Sequence, residues 1–277
     1  MLIEVKNLNH IYSEGMSFET AALTNISFTI KQGEFLALIG HTGSGKSTLV
    51  QHINGLLKPT SGSVLADGID ISGKGKDIMA LRHKIGMVFQ YPEYQLFEET
   101  VLKDVCFGPK RLGLSEEEAE LCAKEALRIV GIDPDEKGES SPFSLSGGEK
   151  RRVAIAGVIA MKPEVLILDE PTAGLDPQGH REILDMIQKL KEDKGLSIIL
   201  VSHNMSDVAR LADHVIVLDS GRLVMDGTPR EVFSREEELK NIGLSVPEAM
   251  SFAKRFGLEA LTIDELVEKI WQSKTSL

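Results

Sequence analysis

Short apolar runs alternate with amphipathic segments along most of the chain, and this alternation predicts both strands and helices. Strands are predicted over residues 2–7, 23–30, 34–39, 85–89, 165–168, 197–201 and 214–218. The run at 165–168 is apolar throughout and the two later runs resemble it, as expected of strands covered on both faces. The pattern therefore predicts an α/β fold with a mostly parallel sheet and helical crossovers.

A glycine-rich turn at residues 40–47 follows the third predicted strand. It leads into a helix predicted over residues 47–57, which Lys58 and Pro59 should end. A strand, a glycine-rich turn and a helix in this order place the positive end of a helix dipole at the turn.

The middle of the chain changes from strand patterns to helical ones. Short strand patterns occupy residues 62–71, whereas residues 115–130 are amphipathic and open with a capping box at Ser115 and Glu118. A further helix is predicted over residues 155–160. We expect residues 91–150 to form a mainly helical subdomain inserted into the larger α/β domain.

The end of the chain reads as a small helical appendix, residues 231–277, attached to a main domain of residues 1–230. The signals are three capping-box patterns, at Thr228 and Glu231, Ser245 and Glu248, and Thr262 and Glu265.

Composition restricts the partners of the protein. The 277 residues include 31 Lys and Arg against 42 Asp and Glu, giving a net charge of −11, which opposes non-specific binding to nucleic acid. Cys106 and Cys122 have neither zinc-site nor disulfide-framework spacing, so a reducing compartment is expected.

No stretch approaches the ~20 apolar residues of a membrane span, and the start lacks the apolar core of a signal peptide. Any role at a membrane should therefore depend on docking to another subunit.

The turn at residues 40–47 carries the strongest chemical signal. Its sequence, Gly40-His41-Thr42-Gly43-Ser44-Gly45-Lys46-Ser47, fits the phosphate-binding loop pattern G-x-x-x-x-G-K-[ST]. Inward-pointing backbone N–H groups should hold the β-phosphate of ATP, while Lys46 reaches the β and γ oxygens and Ser47 ligates Mg²⁺. We also expect Thr48, the next residue, to contact the nucleotide.

A buried strand that ends in two carboxylates supplies the second half of such a site. Residues 165–168 are followed by Asp169 and Glu170. Asp169 should hold Mg²⁺ through water, and Glu170 should polarise the water that attacks the γ-phosphate.

A second anion-binding helix start is predicted at Ser146, Gly147 and Gly148, within the sequence Leu145-Ser146-Gly147-Gly148-Glu149-Lys150-Arg151. We call this helix start and the phosphate loop the two anion cups. One triphosphate does not need two complete cups from one chain. We therefore expect ATP to lie between the phosphate loop of one subunit and this cup of another.

With these motifs, residues 1–230 resemble the ATPase subunits of ABC transporters, whose signature is the LSGG of residues 145–148. The resemblance implies a P-loop NTPase with a RecA-like core, an N-terminal antiparallel β subdomain and the helical subdomain. It also implies that Tyr12 stacks on adenine, Gln90 senses Mg²⁺ and the membrane partner, Asp176 reaches across the dimer and His203 contacts the γ-phosphate.

Each of these four residues also has a structural interpretation. Tyr12 could be a strand-end aromatic, Gln90 a strand terminus, Asp176 a helix N-cap before a proline, and His203 a core histidine.

Within this class, the local sequence is similar to that of energy-coupling factor (ECF) transporter ATPases, most of all to the second of their two paired ATPases. The similarity lies in residues 89–97, 150–157 and beyond Thr228. It implies uptake of vitamins or transition-metal ions, powered by two ATPases that act on a membrane scaffold and a substrate-binding membrane subunit. The expected location is peripheral, on the cytoplasmic face of the membrane, in a homodimer or a heterodimer. An ATPase of another ABC importer is the alternative within the class.

Two other functions are weighed against transport. Soluble ABC ATPases that act on DNA or ribosomes carry long coiled-coil insertions or two cassettes, which this sequence does not have. An ATP-dependent clamp without turnover is disfavoured by Glu170.

Residues 91–97 follow Gln90 and include Tyr94, Leu96 and Phe97. We expect a loop that docks a membrane scaffold, and the alternative is that these side chains pack beneath the helical subdomain.

Overall fold

The computed structural model of the chain describes residues 1–16 and 19–275. Residues 17, 18, 276 and 277, which the sequence assigns to the two predicted domains, lie outside the described residues. The strands are β1 Ile3–Tyr12, β2 Thr20–Ile30, β3 Phe35–Ile39, β4 Ser61–Ala66, β5 Ile69–Asp70, β6 Ile85–Val88, β7 Val165–Asp169, β8 Ser197–Val201, β9 His214–Asp219 and β10 Arg222–Gly227.

These strands form two sheets. The N-terminal sheet is antiparallel, in the order β2-β1-β4-β5. The larger sheet has the order β10-β9-β3-β8-β7-β6, and all its pairs are parallel except β9 with β10. The predicted α/β fold, its mostly parallel sheet and its antiparallel N-terminal sheet are confirmed.

The helices connect and cover these sheets. They are α1 Lys46–Ile53, α2 Lys76–His83, α3 Val101–Arg111, α4 Glu116–Ile129, α5 Pro134–Lys137, α6 Gly147–Ile159, α7 Pro177–Lys194, α8 Met205–Leu211, α9 Pro229–Ser234, α10 Glu236–Asn241, α11 Glu248–Lys254 and α12 Ile263–Thr275. No helix in the described part of the chain combines the length and the apolar character that crossing a bilayer requires.

Strand β7 shows why the central strands are apolar throughout. Leu166 and Leu168 pack in a core shared with helices α3, α4, α6 and α7, whereas Val165 and Ile167 pack in a second core beneath the antiparallel sheet and α1. Because successive side chains of a strand point to opposite faces, a strand covered on both sides must be apolar at every position.

The predicted helix ends agree with the structure for α4 and differ from it for α1. The capping box of α4 is present, with the Ser115 hydroxyl accepting from the Glu118 N–H and the Glu118 carboxylate accepting from the Ser115 N–H. Helix α1 ends at Ile53 rather than at residue 57, because Gly55 takes a positive φ of 79° that ends the helix.

Of the three capping boxes predicted around the appendix, one is complete and one is half formed. Thr228 and Glu231 make a full capping box. Thr262 accepts from the Glu265 N–H, but the Glu265 carboxylate accepts from the N–H of Leu261 instead.

The capping box predicted at Ser245 and Glu248 is wrong. Helix α11 begins at Glu248, with Pro247 at the N-cap and no side-chain cap. A residue that precedes proline is disfavoured in helical geometry, so Val246 cannot serve as the first helical residue that this box requires.

Candidate nucleotide site

The site lies where four neighbouring strands of the larger sheet end. Strands β3, β8, β7 and β6 are adjacent and parallel, so the loops that follow them meet at one edge. These loops carry the phosphate-loop residues after β3, His203 after β8, Glu170 after β7 and Gln90 after β6.

Lys46 is buried at the start of α1. Its Nζ donates to the carbonyl oxygens of Gly40, at 2.7 Å, and His41, at 2.9 Å. Burial lowers the pKa of Lys46, and the carboxylates of Glu170 and Asp169 act in the opposite direction. The ammonium group is therefore held inside the loop and faces two negative charges.

Gly40 shows why the loop requires glycine. Its φ is 155°, and a Cβ there would lie 2.3 Å from the carbonyl oxygen of Leu218. Any other residue would displace the loop from β9, because that oxygen belongs to backbone that cannot move aside.

The N-terminus of α1 is suited to an anion. The N–H groups of Lys46, Ser47 and Thr48 belong to the first helical turn and have no partner within the helix. No side chain among the described residues caps this end, and its first turn carries no acidic residue. The hydroxyl of Ser44 is buried in the loop and makes no hydrogen bond to the described residues. Donors left free at the positive end of a helix fit a phosphate group.

Asp169 ends β7 beside Ser47, whose hydroxyl donates to its Oδ2 at 3.2 Å. Burial raises the pKa of Asp169, and the hydrogen bond from Ser47 opposes that rise. A hydroxyl and a carboxylate oxygen are ligands that suit Mg²⁺. Within residues 1–16 and 19–275, no three His, Cys, Asp or Glu side chains are grouped to hold a metal, so a Mg²⁺ ion here would need phosphate oxygens or water as its remaining ligands.

Glu170 lies between two of the predicted site residues. Gln90 donates from Nε2 to Oε2 of Glu170 at 2.8 Å, and Nε2 of His203 lies 2.5 Å from Oε1. The backbone of Glu170 is left-handed, with φ of 51°, which turns the side chain out of the strand direction toward these neighbours.

A cavity of about 590 Å³ joins these parts. Tyr12 lines the cavity, and its hydroxyl donates to or accepts from that of Thr48, with the two oxygens 3.2 Å apart. The other predicted residues that line the cavity are Thr42, Gly43, Gly45, Lys46, Ser47, Thr48, Gln90, Glu170 and His203. Thr20, Ala21 and Ala22 also line the cavity, and the sequence analysis missed them. They lie at the start of β2, which begins three residues earlier than predicted and pairs there with the end of β1, the strand that carries Tyr12.

Some predicted residues lie elsewhere. The side chain of His41 is turned toward Asp219, with Nε2 2.9 Å from Oδ1. Asp176 caps α7, accepting from the Gly179 N–H at 2.9 Å, so its N-cap interpretation is correct and its role across a dimer stays a prediction.

Ser146, Gly147 and Gly148 do not line the cavity. Ser146 caps α6 in a full capping box with Glu149, whose pKa is lowered by the hydrogen bonds from Ser146. A Cβ added at Gly147 or Gly148 would meet no atom within 4 Å, so this helix end is open. The two predicted anion cups therefore do not share this cavity.

Arg151 is a site-related residue that the sequence analysis did not single out. It is fully buried in α6 and donates to Glu93 and to the carbonyl oxygens of Pro171 and Ala173. It therefore ties the helix after Ser146 to the segment after Gln90 and to the segment after Glu170.

The sequence model of the family described as ABC transporter matches residues 23–173. The chain belongs to the ABC transporter family. As an ABC transporter ATPase, it binds ATP and hydrolyses it.

Relatives of this ABC transporter ATPase extend over its whole length. The energy-coupling factor transporter ATP-binding protein EcfA2 of Clostridium perfringens (strain 13 / Type A) is 53% identical over 277 residues, covering 100% of this chain and 97% of its own length. EcfA2 of Caldanaerobacter subterraneus subsp. tengcongensis is 54% identical, covering 98% and 96%. Within the ABC transporter family, the chain thus belongs to the ECF transporter ATP-binding proteins.

Solved ABC structures show the same fold. The structure of cbiO1 from Clostridium perfringens, part of the ABC transporter complex cbiONQ, is 43% identical with a TM-score of 0.76, covering 87% of this chain and 94% of cbiO1. The dimeric post-hydrolysis structure of the ATP-binding cassette MJ0796, bound to ADP and Pi, is 33% identical with a TM-score of 0.72, covering 82% and 99%.

Proposed function

We propose that the chain is one of two ATPase subunits that power an energy-coupling factor importer from the cytoplasmic face of the membrane. In this proposal residues 1–230 form the ATPase domain, with residues 91–150 as its helical subdomain, and residues 231–277 form the appendix. The observation that carries the proposal is the position of Glu170, which contacts Gln90 and His203 at the edge of the nucleotide cavity.

Glu170 is the general base in this proposal. It takes a proton from water as the oxygen of that water bonds to the γ-phosphorus and the bond to the β-γ bridging oxygen breaks, giving ADP and phosphate. Both carboxylate oxygens of Glu170 are engaged, one by Gln90 and one by His203. Each carboxylate oxygen can accept a second hydrogen bond, so these two contacts orient Glu170 and leave it able to accept a proton from water.

His203 is placed to exchange its contact with Glu170 for one with the γ-phosphate, to which Nε2–H can donate. Lys46 would bind the β and γ oxygens. Ser47, Asp169 through water, and Gln90 would hold Mg²⁺, which would neutralise negative charge on the phosphate oxygens. Tyr12, which lines the same cavity, stacks on adenine in this proposal.

Ser146, Gly147 and Gly148 serve the ATP bound to the partner subunit. The separation of the two cups within one chain supports this arrangement, as does the dimeric cassette structure among the similar proteins. A paralogous ATPase or a second copy of this chain can supply the other half, and Asp176 faces it in this proposal.

The membrane partner binds an exposed aromatic surface, which we define as Tyr91, Tyr94, Phe97 and Phe107. Tyr94 is 84% exposed and Phe97 57% exposed, so these two side chains are not buried beneath the helical subdomain. Leu96 is only 6% exposed and packs in the core shared with α3, α4 and α6, so for Leu96 the docking expectation is wrong and the packing alternative is correct. The rings of Phe97 and Phe107 contact edge to face at 5.0 Å, and those of Tyr91 and Tyr94 lie 6.2 Å apart. Large exposed aromatic groups anchor interfaces, so the cytoplasmic helix of a transmembrane scaffold is the proposed occupant.

The cargo class is the one that the family resemblance implies. That resemblance implies a scaffold, a separate substrate-binding membrane subunit, and uptake of vitamins or transition-metal ions, and the ECF names of the full-length relatives and the cbiONQ complex support membrane partner subunits. The net charge of −11 supports a partner other than nucleic acid.

Affinity purification of the tagged chain from detergent-solubilised native membranes tests the proposal. We expect a second ATPase, or a second copy of the chain, and two integral membrane proteins in the complex, with phosphate release that depends on ATP and Mg²⁺. Recovery of the chain with soluble partners alone would contradict it.

A further inference from the structure

Two histidines are buried behind Tyr12. His10 is 8% exposed and His52 1% exposed, and no ring nitrogen of either makes a hydrogen bond of normal geometry to the described residues. Buried polar groups are nearly always hydrogen-bonded, so this pair requires an explanation. Neither histidine belongs to the site assigned above.

The rings of His52, His10 and Tyr12 contact one another in series, and we call this row of three rings the stack. The rings of His52 and His10 lie 4.6 Å apart at 67°, and those of His10 and Tyr12 lie 4.5 Å apart at 85°. Both contacts have the edge-to-face geometry that aromatic rings favour. His10 and Tyr12 are two positions apart in β1 and His52 belongs to α1, so the stack joins the strand to the phosphate-loop helix.

Tyr12 is also tied to α1 at its other end. Its hydroxyl lies 3.2 Å from that of Thr48, in the first turn of the helix that carries Lys46 and Ser47. The ring is 42% exposed and lines the nucleotide cavity. One helix thus carries the phosphate-loop donors and, through the stack and Thr48, also contacts the aromatic ring that lines the same cavity.

We propose that His10 is a positioning residue for nucleobase recognition, which orients the ring of Tyr12 toward adenine at a set distance from the phosphate loop. This inference rests on the proposed role of Tyr12 in stacking on adenine. Without the edge-to-face contact between His10 and Tyr12, the orientation of the Tyr12 ring is no longer fixed from that side, and part of the stacking contact with adenine is lost.

Affinity for the nucleobase can be separated from affinity for the phosphates. The dissociation constants of adenylyl imidodiphosphate and of inorganic tripolyphosphate, both with Mg²⁺, are measured on the purified full chain. In His10→Leu, which keeps volume but has no ring edge, and in His10→Ala, we expect nucleotide affinity to fall roughly tenfold. Affinity for tripolyphosphate should stay within about twofold, because α1 is unchanged. His10→Phe should restore most of the nucleotide affinity.

Val5→Ala is the matched control, since Val5 is a buried residue of the same strand away from Tyr12. It should lower the melting temperature without changing the ratio of the two dissociation constants. Tyr12→Ala should lower nucleotide affinity at least as much as His10→Leu.

The outcomes separate the two levels of the argument. If Tyr12→Ala leaves the ratio unchanged, the proposed adenine contact is wrong. If Tyr12→Ala changes the ratio while His10→Leu and His10→Ala do not, or if the His10 variants weaken both ligands equally, the positioning role is wrong.

Discussion

Arg151 and Glu93 form a bidentate ion pair inside the protein, with Nη2 2.7 Å from Oε1 and Nε 3.1 Å from Oε2. Arg151 is buried in α6, and Glu93 lies in the short 3₁₀ turn Pro92–Gln95 between Tyr91 and Phe97 of the aromatic surface. The pair therefore ties the helix that begins at Ser146 to the segment proposed to bind the membrane partner.

Loss of this pair should destabilise the fold strongly. Arg151→Met leaves the Glu93 carboxylate largely buried without its partner, which typically costs about 3–5 kcal/mol of the free energy of unfolding. We expect the melting temperature to fall by roughly 10 °C, measured by calorimetry. Arg128→Met is the control, because Arg128 is exposed and its contact with Asp135 is 3.7 Å long, so the change should stay within about 0.5 kcal/mol. Equal effects of the two substitutions would contradict the importance of the buried pair.

Glu170→Gln should keep ATP binding and slow turnover by a factor of about 10² to 10⁴, the usual contribution of a general base. The amide keeps the size of the side chain but cannot take a proton, so the closed dimer should accumulate. Phosphate release is measured in the membrane complex with the other ATPase mutated in the same way. Turnover at the wild-type rate in that complex would exclude Glu170 as the base.

Ser146→Arg should abolish turnover in the complex and leave nucleotide binding to the isolated chain nearly unchanged, because the cup serves the partner's ATP. Loss of the helix cap alone should cost about 1 kcal/mol of stability. Ser115→Arg provides the control, since Ser115 caps α4 in the same type of capping box and should lose similar stability without losing turnover. If Ser146→Arg weakens nucleotide binding in the isolated chain, the cup acts within one subunit.

Tyr94→Ala combined with Phe97→Ala should give a folded, ATP-binding chain that no longer assembles with its membrane partner. Aromatic anchors typically contribute about 2 kcal/mol or more each to an interface. Leu121→Ala removes an exposed apolar group from α4 and should leave assembly intact. Normal co-purification and transport by the double variant would refute the docking role, and a large drop in melting temperature would point to a structural one.

Acid should destabilise the protein through His52. Burial first, and the neighbouring His10 second, lower its pKa from 6.5 to about 4, while the backbone of Leu57 acts weakly in the other direction. The unfolded chain binds this proton below pH 6.5, but the folded chain does so only near pH 4. Above pH 6.5 the group has no effect, and stability falls across that window by up to about 3 kcal/mol.

The test is the free energy of unfolding of the wild type relative to His52→Phe, from denaturant titrations at pH 7 and pH 4. The wild type should lose about 3 kcal/mol more than the variant over this range. His83→Phe, which changes an exposed histidine of α2, should follow the wild type. Parallel curves for the wild type and His52→Phe would show that His52 is not the acid-sensitive group.

The sequence predicted helix α4 and most strands of the larger sheet, but it did not name α3 or α7, although both are amphipathic, and it missed some elements with weak patterns. Helix α2 buries only Leu81, so it has little apolar periodicity to read. Strand β10 was missed because it alternates weakly at the edge of the sheet, where Met225 is its one buried residue.

The site residues were predictable because their motifs are local, whereas their meeting depends on strand order. Nothing in the spacing of Gln90, Glu170 and His203 says that β6, β7 and β8 are neighbours; the family resemblance supplied that expectation. Arg151 was missed for the same reason, because its partner Glu93 lies 58 residues away and an Arg next to Lys150 reads as a solvated charge.

The uncapped N-terminus of α1 should make the stability of the chain depend on bound nucleotide. A ligand that binds only the folded state adds RT ln(1 + [L]/Kd) to the free energy of unfolding, or about 2.7 kcal/mol when its concentration is one hundred times Kd. In the proposed site, phosphate groups would take the place that a serine or aspartate side chain takes in most helices, so bound nucleotide would stabilise the fold. A subunit without nucleotide would unfold more often and be more available to proteases, so nucleotide binding would also protect the subunit from degradation.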